Sequence, residues 1–207
     1  MNILSLKQHH PQRFATTPKS SAVMLPVVMR PEAGPQLLLI RRHARLHRYA
    51  NDWCLPGGRQ EQQDATLLSC AWREFSEETG IAAGLCTFLG ELDDFYDGRG
   101  ELVRPFICAL PESVLQEHLQ LQASEAVEYA LLSTPSLDAI EQDIAQRFAS
   151  ARHPAYVLEI FEHGVSKGHV WGLTASILLH LRDVLTGTAS RICKGERFKQ
   201  ERMIHGR

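Results

Sequence analysis

The chain has 207 residues, 44% hydrophobic and 22% charged, with a formal net charge of -2, the balance of an ordinary globular domain. That charge argues against a dedicated nucleic-acid binder, which would carry a broad basic surface, and no apolar run approaches the roughly 20 residues of a membrane span. Five cysteines (Cys54, Cys70, Cys86, Cys108 and Cys193) lack C-x-x-C spacing, and the polar start has no basic-then-apolar leader; reduced thiols, no zinc signature and a cytoplasmic protein are expected.

Residues 1–20 contain Pro11 and Pro18 without periodicity, which predicts an arm or a short helix. Residues 22–29 form an apolar strand in which Pro26 suits an edge or bulge better than a sheet centre. A turn between Pro31 and Pro35 leads to a second strand over 36–42. The segment that follows is basic, with Arg41, Arg42, His43, Arg45, His47 and Arg48. It is either a solvated loop or, beside an anionic site, a set of partners for phosphate oxygens.

Next come Pro56-Gly57-Gly58, Asp64, and the run Arg73-Glu74-Phe75-Ser76-Glu77-Glu78-Thr79-Gly80. They read as a glycine turn, a helix beginning at Asp64 as N-cap, and a stop at Gly80. Leu68, Ala71, Trp72 and Phe75 recur at i, i+3, i+4 and i+7 and make one apolar face. Glu74, Glu77 and Glu78 converge on another face, where like charges repel by a few tenths of a kcal/mol per pair. Helix stability is therefore not their purpose. Such oxygen clusters suit hard divalent cations such as Mg²⁺ or Mn²⁺. The bland alternative is a solvated acidic face, against which the glycine turn and the adjoining arginine both weigh.

Strands are expected over 86–92, 102–110 and from Glu125 onward, with 93–100 a turn. Asp93, Asp94 and Asp97 in that turn read as solvated acids in preference to a cation loop. Thr134-Pro135-Ser136 opens a helix to about residue 149, and residues 156–171 form a hairpin. A closing helix carries Leu173, Ile177, Leu178, Leu181 and Leu185 on one face, followed by a polar, mostly basic tail. The ten histidines form no H-x-x-x-H pair with an intervening glutamate and read as surface or core residues. No G-x-S-x-G elbow is present.

The central stretch resembles the Nudix box, G-x5-E-x7-R-E-U-x-E-E-x-G-U with U aliphatic. Gly58, Arg73, Glu74, Glu77, Glu78, Gly80 and Ile81 match, and Phe75 stands in for an aliphatic residue. The first acid is Asp64, and eight residues separate it from Arg73. Both departures resemble the coenzyme A diphosphatase branch of the superfamily. Leu38, Leu39, Arg42 and the Pro-Gly-Gly turn keep the spacing of that branch's upstream signature, while Ile40, His43, His47, Asn51 and Leu55 depart from it. Arg104-Pro105-Phe106 and the stretch from His169 to Ala175 are also similar to the branch, so the likeness covers about residues 22–185.

The resemblance implies an α/β/α sandwich with a mixed β-sheet, spanning 21–186 between an N-terminal arm (1–20) and a basic tail (187–207). It implies metal-assisted attack of water on a phosphoanhydride, with Mg²⁺ or Mn²⁺ held by the Gly58 carbonyl, Glu74, Glu77 and Glu78. Arg73 would orient a box carboxylate, and Glu128, with Glu125 in reserve, would supply a further ligand or base. Arg41, Arg42, Arg45 and Arg48 would meet the substrate's phosphates. The implied substrate is coenzyme A or an acyl derivative, cleaved to 3′,5′-ADP and 4′-phosphopantetheine. The alternatives are another nucleoside diphosphate derivative (ADP-ribose, NADH, a dinucleoside polyphosphate), a nucleoside triphosphate, or a non-catalytic nucleotide-binding module. Such modules typically lose box glutamates, and all three are kept here. Homodimers are frequent among Nudix proteins, so a dimer is expected on the same ground.

Overall fold

Residues 21–29 and 35–40 contain no charged side chain, so strands made from them have no polar face to offer water and need cover on both sides. The computed structural model describes residues 3–47, 49–142, 156–162 and 165–188. A short helix, α1 (Ile3–Gln8), precedes β1 (Ser21–Arg30) and β2 (Gly34–Arg42). Two short strands, β3 (Trp53–Cys54) and β4 (Gly57–Arg59), flank Pro56, and the box helix α2 (Leu67–Thr79) follows. Then come β5 (Thr87–Glu91), β6 (Phe95–Tyr96), β7 (Leu102–Pro111), α3 (Glu112–His118) and β8 (Ala126–Ser133). The described chain ends with β9 (Glu141–Gln142), β10 (Tyr156–Glu162), β11 (Val165–Trp171) and α4 (Gly172–Thr186).

Among the described residues, β1 to β8 form one sheet with the path β3-β2-β1-β7-β5; β4 pairs with β1, β6 with β7 and β8 with β2. The sheet is mixed, because β1 and β7 run parallel while β1 and β2 run antiparallel. Strand alternation then decides what each face holds. Ala22, Met24 and Val28 join Leu38, Leu115 of α3, and Leu67, Cys70, Ala71 and Phe75 of α2 in one core. Leu25, Val27, Leu37 and Leu39 join Leu6 of α1 and Ala175, Ile177, Leu178 and Leu181 of α4 in the other. Helices therefore cover both faces of a mixed sheet. This is the expected α/β/α sandwich.

Four local readings are corrected. Pro26 lies in a central strand, but β2 pairs with β1 only from Val27 onward and β4 only up to Val23. The missing N–H thus falls in a gap between two antiparallel partners. The box helix is capped by Thr66, not Asp64: Thr66 and Ser69 form a reciprocal capping box, and Gly80 closes the helix in the left-handed region at φ 75°. Its buried line runs through Leu67, Cys70, Ala71, Phe75 and Glu78, one position off the line through Leu68 and Trp72. In place of an α-helix opening at Thr134, a short 3-10 helix spans Thr134–Ala139 and strand β9 follows; residues 143–149 lie outside the described residues, as do 189–207 of the basic tail.

The acids of the 93–100 turn also differ from expectation. Asp93 is 2% and Asp94 0% exposed. Arg104 grips Asp94 with two bonds of 2.7 Å, and the Phe14 backbone N–H donates to it at 2.8 Å. The N-terminal arm is thereby stitched to the sheet edge.

Phe75, fully buried, is the largest side chain that docks α2 on the sheet. Phe75→Ala is expected to lower the unfolding free energy by about 3–5 kcal/mol, read from denaturant titration. A loss within about 1 kcal/mol would show that α2 is held by other contacts.

Candidate active site

The site is built where the chain turns at Pro56 and passes between β1 and α2. A Cβ at Gly57 would overlap the Ala22 carbonyl oxygen and the Val23 Cα, and one at Gly58 would overlap the Glu74 carboxylate. Only glycine permits both approaches. The Gly57 N–H donates to Glu78 Oε2 at 2.9 Å, so the turn and the helix meet at a carboxylate.

Glu78 is 2% exposed. Burial pushes its carboxyl up to about 8, the Gly57 N–H and Arg42 oppose that shift, and Glu74 and Glu125 add to it. Glu74 is also pushed up by burial, with Arg73 opposing and Glu77 and Glu125 adding. Glu77, one turn along the helix, has its side chain 52% exposed. The three box glutamates are therefore brought together but are not equivalent: one is inward, one sits beneath the glycine turn, and one faces out.

Arg73 organises them. Its Nε and Nη2 bond both oxygens of Asp64 at 3.0 and 2.9 Å, while Nη1 reaches Glu74 and Glu77, each at 3.0 Å. Asp64 also accepts the Glu61 N–H at 2.9 Å. The Arg73 fork beside it holds the Asp64 carboxyl below the usual carboxylate range.

The later glutamates separate. The segment before β8 is tied to the end of α2, with Gln120 N donating to Thr79 O at 2.8 Å and Gln122 N to Glu78 O at 3.1 Å. Glu125 closes that segment, and its charge acts on both Glu74 and Glu78. Glu128 instead lies opposite Arg41 on β2, bonded to Arg41 Nη1 at 3.2 Å and Lys167 Nζ at 2.6 Å. The Lys167 bond, with Arg41, holds its carboxyl below the usual range. Of the pair, Glu125 faces the cluster. Its signal in the sequence is its place just ahead of the strand.

The basic residues divide in the same way. Arg41 is engaged with Glu128 and with the Asn51 carbonyl at 3.3 Å. Arg42 acts electrostatically on Glu78, and its buried Nε has no hydrogen-bond partner among the described residues. Arg45 is exposed on the loop, and Arg48 lies outside the described residues. In that loop Tyr49 and Asn51 hold positive φ values of 54° and 64°, conformations rare outside glycine and common near binding sites. The Gly58 carbonyl accepts from the Cys70 thiol at 3.6 Å. Cys70 and Cys54 border the cluster, and burial pushes both thiols up to about 12.

The donors facing one another are thus carboxylate oxygens, flanked by thiols that stay protonated. Oxygen donors with surplus negative charge fit a hard divalent cation and fit a thiolate-seeking metal poorly. A family model described as the NUDIX domain matches residues 19–150. The chain belongs to the Nudix family. This Nudix hydrolase is 30% identical over 185 residues to an uncharacterised Nudix hydrolase, NudL, from Yersinia enterocolitica, covering 85% of this chain and 86% of that one. It is 32% identical over 173 residues to NudL of Yersinia pestis, covering 83% and 82%. Its fold is similar to a MutT/nudix family protein from Enterococcus faecalis, with a TM-score of 0.51, 17% identity and coverage of 94% and 83%. Nudix hydrolases generally use divalent metal ions, which agrees with the donor set described above. No helix among the described residues is long and apolar enough to cross a membrane.

Asp64→Asn is expected to cost about 1.5–3 kcal/mol of stability at neutral pH, the scale of hydrogen bonds to charged groups. Because the folded Asp64 value is depressed, its contribution is complete above the unfolded value of about 3.9 and fades as pH falls through the folded one. The gap between wild type and variant should therefore close in acid, as measured by urea unfolding at several pH values. A gap independent of pH would remove the ion pair from the account.

Proposed function

We propose that this Nudix hydrolase cleaves the diphosphate linkage of coenzyme A or an acyl derivative, yielding 3′,5′-ADP and 4′-phosphopantetheine with Mg²⁺ or Mn²⁺. The observation that carries the hydrolytic reading is Glu78, buried against the Gly57 N–H beside Glu74 and Glu125. The substrate reading is supported by Asp64 and its eight-residue interval to Arg73, together with the Pro-Gly-Gly turn and Arg42.

Glu74, Glu77 and Glu78, with the Gly58 carbonyl, would hold the cation. When bound, such an ion polarises the phosphoryl group and lowers the pKa of a coordinated water. Glu125 takes the proton of the attacking water, a role open to it because Glu128 is committed to Arg41 and Lys167. Arg42 offers its buried Nε–H to a phosphate oxygen, and the guanidinium fork suits that partner. Arg73 holds Glu74 and Glu77 in place. A second reading, hydrolysis of ADP-ribose or another nucleoside diphosphate derivative, is favoured by the departures at His43 and Asn51, the latter in a left-handed turn.

Product analysis on coenzyme A, acetyl-coenzyme A, ADP-ribose, NADH, diadenosine polyphosphates and nucleoside triphosphates separates these readings. Release of 3′,5′-ADP well above all other turnover is expected; a preference for ADP-ribose would establish the second reading instead. No turnover of any compound with Mn²⁺ bound would overturn both. Glu78→Gln and Glu125→Gln should each lower kcat by about 10²- to 10⁴-fold, whereas Glu128→Gln should stay within about 10-fold. The reverse order would give the base role to Glu128.

A further inference from the structure

On the sheet face opposite α2, three side chains from distant parts of the chain meet. His9 follows α1, Asp93 lies between β5 and β6, and His180 sits in the third turn of α4. His9 Nε2 is 2.8 Å from Asp93 Oδ1, and His180 Nε2 is 3.5 Å from the same oxygen. The ligand atoms all lie within 4.8 Å of one another. The side chains of His9, Asp93 and His180 are 15%, 3% and 1% exposed. Leu6, Leu92, Phe95 and Leu179 belong to the surrounding core, which contains no residue of α2. Phe95 also packs edge-on against the His180 ring, with centroids 5.8 Å apart.

We propose that His9, Asp93 and His180 form a second metal site, separate from the box glutamates, that takes Zn²⁺ or a similar transition-metal ion and fastens the N-terminal arm onto α4. Two imidazole nitrogens and one carboxylate oxygen make a donor set suited to Zn²⁺, in contrast with the all-oxygen cluster on α2. Metal–ligand bonds of about 2.0–2.2 Å in a tetrahedron place the donor atoms about 3.3–3.6 Å apart. The observed 2.8 and 3.5 Å lie within about 1 Å of that spacing, and His9 can adjust from the arm. Three protein donors leave a fourth position for water, on the His9 side, where exposure is greatest.

The site is assembled by contacts that need no metal. Arg13 Nη1 donates to the Leu92 carbonyl at 2.7 Å. Asp94 N donates to the Gln12 carbonyl at 3.0 Å, and Gln12 N donates to Asp93 Oδ1 at 3.1 Å. These bonds set the arm in register before any ligand arrives, the preorganisation that metal sites require. One turn beyond His180 on α4, Asp183 is 1% exposed. Its Oδ1 is bound by Arg182 at 2.8 Å, while its Oδ2 has no hydrogen-bond partner among the described residues. Asp183 thus adds a second buried carboxylate one helical turn from His180.

The test uses the full chain, stripped with chelator and refilled with Co²⁺ or Zn²⁺ in excess Mg²⁺, which competes for the oxygen cluster. One Mg²⁺-resistant ion per chain is expected by elemental analysis, with the intense visible bands of four-coordinate Co²⁺. The same ion should persist in Glu78→Gln. His9→Ala, chosen because His9 is the most exposed ligand, should weaken binding at least 10-fold and abolish the bands. Zn²⁺ should raise the melting temperature of wild type and not of His9→Ala, and the metal-free melt of the variant checks its fold. No Mg²⁺-resistant ion in wild type would overturn the proposal, as would unchanged binding in His9→Ala, leaving an ordinary histidine–aspartate hydrogen bond.

Discussion

Taking a carboxylate out of water costs several kcal/mol unless its charge is answered nearby, and Glu78 is almost wholly buried. The Gly57 N–H answers it with one hydrogen bond and Arg42 acts in the same sense, while Glu74 and Glu125 press in the same direction as burial. Helix α2 therefore carries a group that the protein alone serves poorly and that a cation would serve well. Much of the architecture maintains this position. The glycine turn runs against β1, Phe75 pins α2 to the sheet, and the segment ahead of β8 is bonded to the end of α2.

Arg73 keeps the crowded carboxylates in order. One guanidinium spans Asp64, Glu74 and Glu77 and also meets Glu61 at 4.0 Å, so its charge is shared among four acids and Glu78 is left out. Across the eight-residue interval, Asp64 reaches Arg73 from outside the helix. Asp64 lies in the turn before the Thr66 cap, where its carboxylate can take two prongs of the arginine fork side by side.

What the sequence made legible was what short-range spacing controls. The convergence of Glu74, Glu77 and Glu78 follows from helical periodicity alone, and the stop at Gly80 from glycine's tolerance of positive φ. Which glutamate turns inward depends on how α2 docks on β1, and no local pattern states that. The choice between Glu125 and Glu128 is of the same kind, since three residues along a strand entry exchange a carboxylate cluster for the Arg41–Lys167 pair. Pro26 misled because a proline is judged by its own strand, whereas its tolerance here comes from where β2 and β4 stop pairing. The buried Asp93 and Asp94 were hidden for a related reason. Their partners, His9, His180, Phe14 and Arg104, come from other segments of the chain, and a turn rich in acids looks solvated until the arm is laid across it.

Buried Glu78, with the charge of Glu125 nearby, would make the box cluster a cation site. Mn²⁺ binding followed by electron paramagnetic resonance tests it without reference to any substrate. Mn²⁺ is expected to bind wild type and Glu128→Gln with similar affinity, and Glu78→Gln and Glu125→Gln at least about 10-fold more weakly, the scale at which supporting ligands matter. Equal Mn²⁺ affinity in wild type and Glu78→Gln would contradict the account, because the buried carboxylate would then have no part in holding the ion.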